Sequence, residues 1–165
     1  MAPAVAEDDA TRIGKAMHRL LQWLPTPLRD FRWADVHTQA VAKEFSLDRE
    51  QLNQALLAAR SVLDGEAAWA WDSQHLDHWG NEVELWHQGE RLRLDRLVRE
   101  RATGCWWVLD FKSTETPQHK PELLAQLRRY REALQAAHPG QPLRLAFINA
   151  KGRLIEPALD SLDVR

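Results

Sequence analysis

The chain has 165 residues and a formal net charge of −2, so its overall charge does not attract a polyanion such as a nucleic acid. Its one cysteine, Cys105, excludes a disulfide framework and a four-cysteine zinc or iron–sulfur site within the chain, and it agrees with a reducing, cytoplasmic location. No apolar run approaches the ~20 residues that span a bilayer, so no membrane association is predicted. Any binding to nucleic acid must therefore come from local basic patches or from metal ions.

The first half of the chain is predicted to be helical. A disordered tail is predicted over residues 1–10, followed by a helical segment over residues 11–78. Within this segment, apolar spacing predicts three helices, over residues 11–24, 35–45 and 46–65. Pro25 and Pro27 end the first of these helices, and Gly65 ends the third.

The second half, residues 79–157, has the pattern of an α/β core. From Glu82 the spacing becomes strand-like, and "EVELWHQGERLRLDRLVRE" predicts two strands joined near "HQGE". The continuous apolar run in "CWWVLDFKS" predicts a third strand that is buried on both faces. A helix with Pro121 in its first turn and Gly140 after its end follows, and then a strand in "LRLAFINAKGRLIEP" with a possible partner strand. The order predicts a single α/β domain, with a three-stranded antiparallel meander, a helix and a further strand.

An acid and a base stand two residues apart at the end of the third strand. Residues two apart in a strand share a face, so Asp110 and Lys112 point the same way. If the preceding hairpin turns between Ala102 and Thr103, Asp95 lies opposite Asp110 with Cβ atoms ~5 Å apart. Two carboxylates at that distance repel by roughly 3 kcal/mol at an effective dielectric near 20. Lys112 offsets part of this cost, and Mg²⁺ or Mn²⁺ would offset more. The alternative is a surface ion pair where the strand meets solvent.

Four short motifs occur in a fixed order along the chain. They are "GKAMH", "RLRLD", "LDFK" and "QLRRY", on the first helix, the second strand, the third strand and the last helix. In this order they resemble the RecB-like nuclease domain of the PD-(D/E)xK superfamily, as in UvrD/RecB-type helicase–nucleases. The resemblance runs from about residue 14 to residue 150 and implies a restriction-endonuclease-like core preceded by a helical segment.

The resemblance also implies a Mg²⁺ or Mn²⁺ site. Asp95 and Asp110 would bind the catalytic cation, with His18 as a further ligand and the carbonyl of Phe111 as an extra one. Lys112 would polarise or orient the attacking water.

The helix after the third strand would contact DNA or support the site, through Gln126, Arg128, Arg129 and Tyr130. The arginines of "RLRLDRLVRER" and "QLRRYRE" suit phosphate contacts, with a solvated face as the alternative. The chain departs from the family pattern at Leu92, where a glycine is usual, and at Gln22, where an acid is common. Neither departure removes a metal ligand.

The function that the resemblance implies is metal-dependent cleavage of DNA by an exonuclease-type domain in recombinational repair. The partner would be DNA, with superfamily 1 helicase domains in the same chain or complex. The main alternative is a nuclease-fold module that has lost its chemistry and serves as a DNA-binding or scaffolding domain. A nuclease of the same chemistry acting on RNA is a second alternative.

Overall fold

A five-stranded sheet lies between two helical layers in the computed structural model, which describes residues 7–160. The elements in chain order are α1 (Asp9–Gln22), α2 (Asp35–Glu44), α3 (Arg49–Asp64), β1 (Leu76–His87), β2 (Glu90–Glu100), β3 (Trp106–Phe111), α4 (Pro121–Ala137), β4 (Leu143–Ile148) and β5 (Leu154–Ile155). The strands are ordered β1-β2-β3-β4-β5, with β3 and β4 parallel and the other neighbours antiparallel. The predicted meander, helix and further strand are therefore confirmed. Across residues 7–160, no helix has the length and apolar character needed to cross a membrane.

Several boundaries differ from the predictions: α1 spans Asp9–Gln22, α3 begins at Arg49, and β1 begins at Leu76. The side chain of Asp8 accepts a hydrogen bond from the Thr11 N–H, so α1 begins at Asp9, inside the predicted tail. Residues 1–6 of that tail lie outside the described residues. β1 begins at Leu76, before the predicted start of the strand pattern at Glu82. Only the first residue of "LDHWGN" is buried, so these residues show no apolar alternation that a sequence reading can detect.

The two hairpins of the meander have the predicted positions. Gln88 and Gly89 form the first turn, with φ of 51° and 76°. Both values are positive, as in the type I′ turn that connects two strands through a two-residue loop. β2 pairs with β3 in the predicted register, for example with Arg96 opposite Leu109. Continuing this register by one residue places Asp95 opposite Asp110.

The side chains of β3 alternate between the two cores. Trp107, Leu109 and Phe111 pack into the core formed with α1 and α3, whereas Val108 packs into the core formed with α4. The side chain of Asp110 therefore emerges on the α4 side of the sheet. Burial on both faces explains the continuous apolar run of this strand.

Gly152, in the turn between β4 and β5, lets the end of α3 approach the sheet. Its φ is +77°, and an added Cβ would lie 2.1 Å from the carbonyl oxygen of Ser61. Gly152→Ala is expected to lower the free energy of unfolding by about 2–4 kcal/mol, measured by urea denaturation, because backbone must move to make room. Gly140→Ala is the matched control, since Gly140 has φ +75° and nothing within 4 Å of the added Cβ. Equal losses in the two variants would show that the contact with Ser61 does not matter.

Candidate active site

His18, Asp95 and Lys112 meet at a cleft between α1 and the ends of β2 and β3, and the buried Asp110 lies against Lys112. The cleft has a volume of about 520 Å³, and its lining includes His18, Asp95 and Lys112. These residues are far apart in sequence, and the packing of α1 against the sheet brings them together.

Gly14 explains how α1 comes close enough to contribute to the site. A Cβ at Gly14 would lie 2.8 Å from the hydroxyl oxygen of Ser113, so the glycine allows the helix to approach the chain just after β3. One turn later, His18 Nδ1 lies 2.9 Å from the Gly14 carbonyl. When Nδ1 carries the proton and donates to this carbonyl, Nε2 is left as a free electron-pair donor. That Nε2 lies 3.4 Å from Asp95 Oδ2.

Asp95 lies where β2 and β3 stop pairing. The last paired residues are Arg96 and Leu109, and beyond them the Phe111 N–H donates to Asp95 Oδ2 at 2.8 Å. The alternation of β2 changes at the same place, because Leu94 and Leu97 both pack on the α4 side. The end of the ladder thus leaves a backbone donor that fixes the Asp95 carboxylate between the two strands.

Asp110 and Lys112 form the buried part of the site. The Asp110 side chain is only 3% exposed, and its Oδ2 lies 3.2 Å from Lys112 Nζ. This oxygen nevertheless accepts no hydrogen bond of acceptable geometry. The ammonium group donates instead to Gln126 Oε1 at 3.2 Å, so α4 helps to hold Lys112 in place.

The two buried acids of the site and His18 shift one another's pKa. Burial, and then the charge of Asp95, hold the pKa of Asp110 well above its usual range, against the opposing effect of Lys112. Burial alone would raise the pKa of Asp95, but the hydrogen bond and positive charge of His18 outweigh it and lower this pKa. Burial disfavours the charged form of His18, yet Asp95 raises its pKa to about 9. A cation placed among these groups would relieve the repulsion between the two acids.

The donor groups fit a hard divalent cation. Within residues 7–160, no three His, Cys, Asp or Glu side chains are already gathered in ligand geometry; here His18 contacts Asp95, and Asp110 contacts Lys112. Two carboxylates with one imidazole nitrogen are nevertheless suitable ligands for Mg²⁺ or Mn²⁺. Asp110 Oδ2 lies near Lys112 Nζ but accepts no hydrogen bond, so it can serve as a ligand to a cation. Phe111 directs its N–H to Asp95, and its carbonyl stays a predicted ligand.

The predicted residues of α4 divide into two groups. Gln126 accepts a hydrogen bond from Lys112, and the buried Tyr130 donates its hydroxyl to the Arg93 carbonyl at 3.2 Å. Both residues therefore support the site from the α4 side of the sheet. Arg128 Nε donates to the Leu159 carbonyl at 2.9 Å, and Arg129 is exposed on α4. Neither arginine lines the cleft.

One cleft residue, Glu82, was not predicted. The pairs Asn81–Arg96 and Val83–Leu94 place it across from Asp95, and its backbone has φ +51°. Its pKa is raised, first by burial and then by the charge of Asp95. Nothing in the motif "NEVEL" distinguishes Glu82 from Glu84, and a positive φ at a non-glycine residue leaves no sequence signal.

Comparisons with known proteins give one family match. The family description "PD-(D/E)XK nuclease superfamily" matches residues 2–163. A solved structure described as "Crystal structure of SSO0001" is 16% identical, with 94% of this chain and 71% of that chain covered and a TM-score of 0.29. No curated protein matches. The helices followed by a five-stranded mixed sheet are consistent with the restriction-endonuclease-like fold of that superfamily. Because the match spans nearly every residue, the chain belongs to the PD-(D/E)XK nuclease superfamily.

Proposed function

We propose that this chain is a Mg²⁺- or Mn²⁺-dependent deoxyribonuclease that hydrolyses phosphodiester bonds. Members of its superfamily are generally metal-dependent nucleases. The observation that carries the proposal is the juxtaposition of Asp95 and Asp110 at the ends of neighbouring strands, with Lys112 and His18 beside them. Two acids and one amine in a cleft have the composition needed to hold a cation and to orient a water molecule.

Each of these residues has a role in the proposed reaction. Asp95, Asp110 and His18 would hold the cation, which when bound supplies positive charge to the phosphate and lowers the pKa of a water molecule. Lys112 would orient the attacking water, because its ammonium group is held between Asp110 and Gln126. The Phe111 N–H keeps the Asp95 carboxylate in position.

The biological setting proposed is exonucleolytic processing during recombinational DNA repair in the cytoplasm, beside superfamily 1 helicase domains. The order of the four motifs, which resembles RecB-like domains, supports this setting. An exonuclease is expected to degrade an end-labelled linear DNA and to leave a covalently closed plasmid intact. Nicking or linearisation of the plasmid at a comparable rate would identify an endonuclease instead.

Lys112→Ala tests the assignment of the catalytic lysine. In a digestion of linear DNA with Mn²⁺, the variant is expected to be slower than the wild type by roughly 10²–10³-fold, because the attacking water loses its fixed partner. Lys151→Ala is the control, since the Lys151 side chain is 68% exposed and pairs with Glu115 on the surface. Equal rates for the wild type and Lys112→Ala would contradict the role of this lysine. If the wild type binds DNA but degrades none with either metal, the scaffolding alternative is favoured.

A further inference from the structure

We propose that two copies of this chain associate through one side of α3, which packs antiparallel against α3 of the second copy along a groove beside the helix. The inference is independent of the proposed nuclease function, because the groove shares no residue with the cleft. It is supported by the groove itself, by an exposed leucine in its wall and by the order of charges along α3.

The groove has a volume of about 710 Å³ and lies between α2, α3 and the segment that precedes α2. Phe31 and Trp33 line it from that segment, with their ring centroids 5.7 Å apart and the rings edge to face. Trp33 Nε1 donates to the Leu20 carbonyl at 2.9 Å, and Arg60 Nη1 donates to the Phe31 carbonyl at 3.3 Å. These contacts hold the aromatic wall in place, so the groove loses little freedom when it is filled.

α3 forms the other wall of the groove. Four of its residues line the groove at the i, i+3, i+4 and i+7 spacing of one helix side, namely Asn53, Leu56, Leu57 and Arg60. Leu57 is 69% exposed, although the opposite side of the helix packs into the core. A large exposed apolar side chain at the edge of a preformed groove indicates an interaction surface.

The order of residues along this side of α3 is suited to an antiparallel copy of the same helix. At ~100° per residue, Arg49 and Asp64 fall on the same side as the groove residues, one at each end of the helix. When the twofold axis passes between Leu56 and Leu57, these leucines face each other at the centre of the interface. Arg49 then faces Asp64 of the second copy, and the symmetry repeats this pair at the other end.

These end pairs add a partner for a charge that a single copy leaves without one. Among the residues that the structure describes, Arg49 forms no ion pair, whereas Asp64 is 62% exposed and lies 3.2 Å from Arg60 Nε. In the dimer, Asp64 would lie between Arg60 of its own chain and Arg49 of the second copy. A surface that is apolar at its centre and opposite in charge at its two ends is complementary to itself, so the occupant of the groove is a second copy.

Sedimentation equilibrium of the full chain tests the association. Over concentrations from about 1 µM to about 200 µM, the mass is expected to rise from 19.1 kDa toward twice that value. The dissociation constant should be on the order of 10 µM, because one helix and one groove per copy make a small interface. A wild type that stays monomeric at about 200 µM would overturn the inference.

Leu57→Asp tests the centre of the interface. It is expected to weaken association at least about 100-fold, because each dimer would bury two carboxylates among apolar side chains. Trp86→Asp is the matched control, since Trp86 is 72% exposed but lies on β1, outside the groove. Its dissociation constant should stay within about twofold of the wild-type value. Both substitutions are at exposed positions, and circular dichroism checks that both variants are folded. Equal losses in the two variants, or association that Leu57→Asp does not weaken, would contradict the proposal.

Arg49→Glu and Asp64→Arg test the antiparallel arrangement. Each change alone places like charges opposite each other at both ends of the interface and should weaken association about tenfold. Mixed in equal amounts, the two variants should form a heterodimer with about the wild-type affinity, because every facing pair again has opposite signs. Both changes also suit the helix, since they place an acid in its first turn and a base in its last. A mixture that associates no more tightly than either variant alone would rule out the antiparallel dimer.

Discussion

Asp110→Asn is expected to abolish DNA hydrolysis while it raises the thermal midpoint of the metal-free protein. The carboxylate is buried and faces a second acid, so its negative charge costs free energy in the folded state. Asparagine keeps the shape and removes that charge. We expect the midpoint to rise by about 2–4 °C, which corresponds to about 1 kcal/mol for a domain of this size. The rate of hydrolysis should fall at least about 10³-fold, because a cation ligand is lost.

The same variant separates metal binding from folding. Addition of Mg²⁺ or Mn²⁺ should raise the thermal midpoint of the wild type, since a ligand that binds only the folded state stabilises it, and should leave Asp110→Asn unchanged. Asp64→Asn is the control, because Asp64 is 62% exposed and pairs with Arg60 on the surface of α3. A lower midpoint for Asp110→Asn in the absence of metal would favour the alternative in which Asp110 and Lys112 are a stabilising ion pair.

Arg96→Ala is expected to lower the free energy of unfolding by about 3–5 kcal/mol. The arginine is 1% exposed, and its guanidinium lies 4.7 Å from the ring centroid of Trp71. It donates hydrogen bonds to the Ala70 carbonyl, to Asn81 Oδ1 at 2.6 Å and to Thr26 Oγ1 at 2.7 Å. Alanine would leave these acceptors without their donor and would open a cavity between the sheet and the helical layer.

Urea denaturation measures this effect. Arg91→Ala, on the exposed part of the same strand, should change the free energy of unfolding by no more than about 0.5 kcal/mol. Arg96→Met, which restores much of the volume, should recover part of the loss if the cavity contributes to it. A loss below about 1 kcal/mol for Arg96→Ala would show that water replaces the guanidinium at little cost.

Much of the fold could be predicted because local signals agreed with the tertiary structure. The glycine at position 104, with φ +68°, marks the β2–β3 turn, and the apolar run from Trp106 identifies a strand buried on both faces. Together they were sufficient to predict the register that carries Asp95 toward Asp110. The end of α3 was predictable for the same reason, since Gly65 follows its last residue.

The rest depends on contacts that no local pattern encodes. Glu82 and Glu84 stand two residues apart and both face an arginine across the hairpin, yet only Glu82 lines the cleft. Arg93 and Arg96 belong to one basic motif, but Arg96 is buried in the fold, whereas Arg93 is exposed at the cleft. A regular strand would place Arg93 and Arg96 on opposite faces of the sheet, and the change of alternation on β2 brings both to the α1 side. That change depends on packing between two layers rather than on the sequence of one strand.

The contribution of α1 to the cleft has a practical consequence for dissecting this protein. A truncated version starting at residue 79 would retain both acids and the amine but would lack His18, and the apolar side of its sheet would be open to water. Such a fragment should aggregate instead of reporting on catalysis. Complementation between two separately expressed halves, joined only by that apolar surface, would be the appropriate way to ask what each half supplies.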